Sequence, residues 1–218
     1  MITSANVDFY YAIGSRYSYL ASTQIDALKT ATGCHVEWHP INSVRLISQR
    51  DRNPFTGKPS GKYEWAYREL DAQRWAKLYG VPYLEPRGRV QFDSELLARA
   101  CVAAKQFDKV VEYSHLLFAA MFKDSLTQID ERECIDRAEI CGISTKDFQV
   151  ALKSQETASQ LDETIDNAIN AGVFGVPTFI VNGELFWGND RLILLHHCLD
   201  SDRFEAWKSR LVSNPDIL

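Results

Sequence analysis

The chain has 218 residues, which at ~150 residues per domain means one large domain or one domain carrying a big insertion. Hydrophobic residues make up 45% and charged residues 24%, which excludes disordered, collagen-like and low-complexity classes. Lys plus Arg total 24 against 29 Asp plus Glu, a net charge of -5, and that sign repels a phosphate backbone, so nucleic acid is not an expected partner.

The opening Met1 to Asn6 has neither a basic nor an apolar leader region, and the longest apolar run, Leu116 to Phe122, is too short to span a bilayer. The expected compartment is the cytoplasm, with no membrane partner. Five cysteines (Cys34, Cys101, Cys134, Cys141 and Cys198) include no C-x-x-C pair and read as reduced, mostly buried thiols, with no metal site expected.

Val7 to Ala12 is a β-type run rich in aromatics, and Gly14-Ser15-Arg16-Tyr17-Ser18 after it is a turn with candidate N-cap side chains. Tyr17, Leu20, Ala21, Ile25, Leu28 and Ala31 then keep helical spacing up to Gly33, a candidate left-handed cap. Val36 and Trp38 alternate with polar neighbours as far as Pro40, so the chain opens β-α-β with two parallel strands. After a polar stretch from Ser48 to Lys62, helical spacing predicts Tyr63 to Tyr79, Ser94 to Gln106, Asp108 to Phe122, Glu131 to Cys141, Ser144 to Leu152 and Gln155 to Ala171, with no strand among them. β character returns at Val176 to Val181 and Glu184 to Trp187, joined by Asn182-Gly183, a strong hairpin signal. A closing helix follows through Leu192, Leu195 and Leu199, capped by Asn189 or Asp190. This order predicts an α/β fold, a thioredoxin-like domain (1–42 and 173–218) with a large all-α insertion (43–172).

Three places can carry chemistry. Ser15 stands where a strand feeds a helix, so backbone N–H groups, the helix dipole and its own hydroxyl favour an anion there. A thiolate at that point has its pKa lowered from about 8.5, and with no cysteine at the junction the thiol must arrive with a ligand. Ser15 and Ser18 serve equally as ordinary N-caps. Pro177 in Gly175-Val176-Pro177-Thr178 either takes a cis bond, leaving Val176 to pair with an extended ligand, or begins an edge strand as a trans proline. In Trp187-Gly188-Asn189-Asp190-Arg191, N–H groups suit a carboxylate and Asp190 an ammonium, the two ends of an amino-acid zwitterion, unless Asp190 only caps its own helix. His196 and His197 point in different directions on one helix, and His35 and His39 flank a strand with no carboxylate partner in view. Tyr63, Trp65, Tyr67, Trp75 and Tyr79 read as helix-face packing, part of which can line an apolar pocket. Arg16, Arg45 and Lys62 are candidate anion contacts or solvated charges.

Asp8-Phe9-Tyr10-x4-Ser15-x2-Ser18-Tyr19-Leu20-Ala21, Asp71-x-Gln73-Arg74-Trp75-Ala76-x-Leu78-Tyr79-Gly80-x-Pro82, and Val173 to Thr178 with Phe186 to Leu192 stand in this order along the chain. In these motifs the sequence resembles the 2-hydroxychromene-2-carboxylate isomerases and, more distantly, kappa-class glutathione transferases. The resemblance implies a homodimer, bound glutathione, and either isomerase or transferase chemistry on a small aromatic, carboxylate-bearing substrate. It makes Ser15 the catalytic residue that hydrogen-bonds the glutathione sulfur. It assigns Val176, beside a cis Pro177, to the cysteinyl backbone and Asn189, Asp190 and Arg191 to the γ-glutamyl end. Asn53 and Lys62 become further glutathione contacts, and Arg16, Arg45 and Ser18 face the substrate. Two departures stand out: Arg16 replaces the proline usual after the serine, adding a cation beside the thiolate, and Ile47 aligns with a substrate-contacting lysine, leaving Arg45 as the nearest cation. A non-catalytic peptide-binding protein and a thiol–disulfide oxidoreductase are the other readings, the latter weakened by the missing C-x-x-C.

Overall fold

Alternating burial along Asn6–Tyr11 (β1) and His35–Pro40 (β2) makes two parallel strands that are buried towards their C-terminal ends. The computed structural model describes residues 5–49 and 62–199, with residues 62 and 63 described by backbone alone. The connection from β1 to β2 is a helix in two pieces, Arg16–Ser22 (α1) and Ile25–Thr32 (α2), where one was expected. Its break has a local cause: Ser22 Oγ donates to Tyr19 O and Thr23 Oγ1 to Leu20 O, both at 2.7 Å, while Gln24 N turns to Ala21 O at 3.0 Å. Hydroxyls competing for helix carbonyls end the regular ladder. Gly33, at φ 69°, then closes α2.

A short helix at Ser43–Ser48 (α3), capped by the Asn42 side chain, follows β2. The helical block contains Lys62–Tyr79 (α4), Ser94–Lys105 (α5), Val110–Phe122 (α6), Glu131–Ile140 (α7), Thr145–Lys153 (α8) and Gln155–Asn170 (α9). It is not free of strands, contrary to the sequence expectation. Gln91–Phe92 (β3) pairs in parallel with Gln128–Ile129 (β4), and two residues are too few for a period of two to show. Thr178–Val181 (β5) and Glu184–Trp187 (β6) lead to a 3-10 turn at Asn189–Arg191 and the helix Leu192–Leu199 (α10).

The main sheet has the order β2-β1-β5-β6, with β5 antiparallel to both neighbours. Asn182 and Gly183, at φ 51° and 82°, supply the two positive angles that a tight hairpin of matching twist requires. On one sheet face Phe9 stacks on Phe179 at 4.8 Å and meets Trp38 edge-on at 4.9 Å. On the other, Tyr10 and Ile180 pack with Leu161 and Ile165 of α9. Burying both faces leaves the C-terminal ends of the strands as the place where loops can form a site. His39 also finds a partner that the linear sequence hides: its Nε2 lies 2.8 Å from Asp8 Oδ1 on the neighbouring strand, and His35 Nε2 is 3.7 Å from Glu37. Among the described residues no helix is long and apolar enough to cross a membrane.

Candidate active site

After β1 the chain turns sharply: Ser15 N donates to Ala12 O at 3.0 Å and Ala12 N to Ser18 Oγ at 3.4 Å. Ser15, extended at φ -91° and ψ 116°, caps α1 by accepting from Ser18 N at 3.2 Å. With its oxygen already accepting a bond, the hydroxyl has its single proton left to donate. Ser15 lines a cavity of about 210 Å³ together with Ala12, Gly14, Ile41, Ser43, Phe92 and Ser94. The starts of α1, α3 and α5 meet there, so serine hydroxyls and apolar side chains share the wall.

Three expected substrate contacts are placed elsewhere. Ser18 is fully buried and its hydroxyl holds the turn, so it presents nothing to a ligand. Arg16 reaches back from α1 to Glu85, Nη2 to Oε1 at 2.9 Å, and lies 5.7 Å from the centre of the Trp65 ring. Glu85 counters its charge through Nη2, while its Nη1 is buried without a hydrogen-bond partner among the described residues, and it lines none of the cavities described here. Arg45 binds Glu95 at 3.0 Å and Asp162 at 2.6 Å, tying α3 to α5 and α9. Asn42, which also bonds Glu95 at 2.8 Å, completes the tie.

Val176, Pro177, Asn189, Asp190 and Arg191 do come together, on a second cavity of about 380 Å³ whose wall also includes Tyr17, Asp71 and Trp187. The Val176–Pro177 bond is cis. Tyr17, two residues after Ser15, carries α1 into this cavity and donates to Asp71 Oδ2 at 2.8 Å. Burial first, then the Asp71 carboxylate, raises the pKa of that phenol. Gly188 has φ 112° and ψ 155°, a region open essentially to glycine alone, and the Asp190 carboxylate folds over it where a Cβ would stand. Asn189 is 3% exposed, and its Nδ2 is closed off from solvent beside the Tyr79 phenol. The nearby Tyr79 phenol has its pKa raised by burial, with the Asn189 amide acting in the opposite direction. Asp190 and Arg191 are exposed and 3.6 Å apart, a pair worth little to stability.

Asn53 lies outside the described residues, as does the Lys62 side chain at the start of α4. Tyr17, Asp71, Phe92 and Trp187 were not singled out as ligand contacts. Tyr17 and Asp71 sit within or beside the spaced motifs, which was a usable signal, whereas Phe92 reaches the site through the two-residue strand that periodicity could not reveal. The carboxylates Asp71 and Asp190 beside the Arg191 guanidinium give this cavity groups of both charges.

The chain is 28% identical over 194 residues to a 2-hydroxychromene-2-carboxylate isomerase from Pseudomonas putida, covering 88% of this chain and 93% of the relative. A second protein of that name, from Sphingobium xenophagum, is 27% identical over 202 residues, with 88% and 97% covered. A solved 2-hydroxychromene-2-carboxylate isomerase superposes with a TM-score of 0.77 at 28% identity, over 98% of this chain and 99% of that one. Residues 6–200 match the model of the DSBA-like thioredoxin domain. The α/β sheet with inserted helices is therefore a thioredoxin-like fold, and the chain belongs to the DSBA-like thioredoxin domain family.

Proposed function

We propose that this chain is a glutathione-dependent isomerase of the 2-hydroxychromene-2-carboxylate isomerase type, acting on an aromatic, carboxylate-bearing substrate. The observation that carries this reading is the cavity on which Val176, the cis Pro177, Asn189, Asp190 and Arg191 meet, while the helix that starts at Ser15 sends Tyr17 into the same cavity. Glutathione, when bound, supplies a thiol nucleophile that the chain's own cysteines do not. Cys34, Cys101 and Cys134 are buried, burial pushes the Cys101 and Cys134 thiols up to about 12, and the half-buried Cys141 and Cys198 line neither cavity.

The residues divide the work by charge. Asn189 and Arg191 face the γ-glutamyl carboxylate, and Asp190 and Asp71 oppose the ammonium. Val176 pairs its backbone with the extended peptide as an added strand does. Ser15 Oγ donates its free proton towards the sulfur, and the first turn of α1 adds N–H groups and positive dipole, which favours the thiolate over the thiol.

Reduced glutathione in a thermal shift assay tests the reading, because a ligand that binds only the folded state raises its apparent stability. At about 100 times the dissociation constant the gain is about 2.7 kcal/mol, or roughly 5–10 °C for a chain of this size. In parallel, 2-hydroxychromene-2-carboxylate is followed by absorbance with and without glutathione. Turnover only with glutathione, and with glutathione recovered unchanged, supports the isomerase. A glutathione adduct as product supports a kappa-class-like transferase, and a shift without turnover supports a non-catalytic glutathione-binding protein. No shift at millimolar glutathione removes the cofactor from the proposal.

A further inference from the structure

Two glycines in the molecule are each pressed by an aromatic side chain that is itself far from buried. The Phe92 ring, 39% exposed, rests its Cε2 and Cζ atoms 2.9 Å from where a Cβ on Gly14 would stand. Trp187, 40% exposed, stands in the same way over Gly175, with Nε1 at 2.7 Å. Gly14 is not among the glycines with positive φ, so its backbone makes no demand for glycine; a side chain there would instead displace the Phe92 ring from its seat. Phe92 is also fixed from behind. Gln91 N donates to Thr127 O at 2.9 Å, β3 pairs with β4, and Asp93 caps α5 immediately afterwards. An apolar ring anchored at its backbone, left partly open to solvent and seated one residue from Ser15 on the wall of the 210 Å³ cavity is placed to meet a ligand.

Building on the proposed function, we infer that Phe92 is the specificity-determining residue of the Ser15 cavity, selecting a planar aromatic ring over a puckered aliphatic one of similar size, and that Gly14 is glycine to admit it. Ile41, Val44 and Leu97 line the same cavity and accept any apolar group, whereas an aromatic ring offers a preference of several-fold to about tenfold for another π system beyond the area buried.

Direct binding tests this without requiring turnover. Calorimetry compares 2-naphthoate with decahydro-2-naphthoate on the wild type, Phe92→Ala, Phe92→Tyr, Gly14→Ala and the double variant Gly14→Ala/Phe92→Ala. The expected result is a preference of about five- to tenfold for naphthoate in the wild type and in Phe92→Tyr, falling below about twofold in Phe92→Ala. Gly14→Ala is expected to weaken naphthoate binding about tenfold while Phe92 is present and to change it less than about threefold once Phe92 is alanine, because only the ring occupies the space the methyl needs. Equal preference in Phe92→Ala and wild type, the same Gly14→Ala loss in both backgrounds, or no binding of either acid to the wild type overturns the inference. Reduced glutathione titrated into the same proteins separates the two ideas: intact naphthoate selectivity without glutathione affinity sinks the proposed function alone, and the converse sinks this assignment alone.

Discussion

Ser15 and Asp190 sit on different cavities, and their removal is expected to separate chemistry from affinity. Under the proposed function, Ser15→Ala takes away a donor to the glutathione sulfur, so the thiol pKa of bound glutathione should rise and kcat fall roughly 10²-fold, a loss typical of one aligned donor to a developing anion. Ultraviolet absorbance of bound thiolate across pH checks it; an unchanged titration removes Ser15 from the chemistry. Asp190→Ala should instead weaken glutathione binding about tenfold, the worth of one charge-assisted contact, and leave the thiol pKa in place. Equal affinity by calorimetry would refute that role. That Ser15 and Asp190 stand at turns into helices was legible in the sequence. That Arg16, Arg45 and Ser18 bond to Glu85, to Glu95 and Asp162, and to a backbone N–H was not, because a cation or hydroxyl reads the same in sequence whether or not the fold gives it a partner.

Among the elements, the turn from β6 into α10 depends on Gly188. A Cβ there meets the Asp190 carboxylate, and φ 112° with ψ 155° is strained for any other residue. Gly188→Ala is expected to cost about 1–3 kcal/mol of stability and to lose glutathione affinity with it, read by urea unfolding and calorimetry. Gly183→Ala, at φ 82° in the hairpin away from both cavities, should lose stability while keeping affinity. If the two variants lose affinity alike, the turn has no special part in binding. The hairpin was readable because Asn-Gly fixes its own backbone angles. The break between α1 and α2 was not, since it turns on whether the Ser22 and Thr23 hydroxyls bond back to carbonyls, and the apolar spacing runs through it undisturbed.

For the whole molecule, His115 sets a pH limit. It meets the Trp38 ring at 5.2 Å, and burial lowers its pKa below the ordinary 6.5, against smaller raising effects of Asp26 and Glu112. The unfolded chain then binds the proton more readily, so this contribution to stability is complete above about pH 6.5 and shrinks as pH falls from there towards the folded value. Urea midpoints between pH 7.5 and 5.5 should fall for the wild type and fall less for His115→Gln; parallel slopes would assign the titration to another group. The homodimer implied by the resemblance has apolar surface available. A groove of about 540 Å³ between α2, α4 and α10 is flanked by Leu78 and Ile193, about three-quarters exposed. Sedimentation equilibrium is expected to give twice the 24.8 kDa chain mass, and a single-chain mass at micromolar concentration would dismiss that pairing.

The order of the four main-sheet strands and of the longer helices, and the hairpin between β5 and β6, were present in the linear chain, because backbone geometry and periodicity are short-range properties. Which charges are spent within the protein, that Asp8 meets His39 and Tyr17 meets Asp71, that Ser15 and Asn189 open onto separate cavities, and that Phe92 covers Gly14 were settled only by packing. Those outcomes join residues tens of positions apart, and a side chain's free valence depends on neighbours that only the closed fold brings within reach.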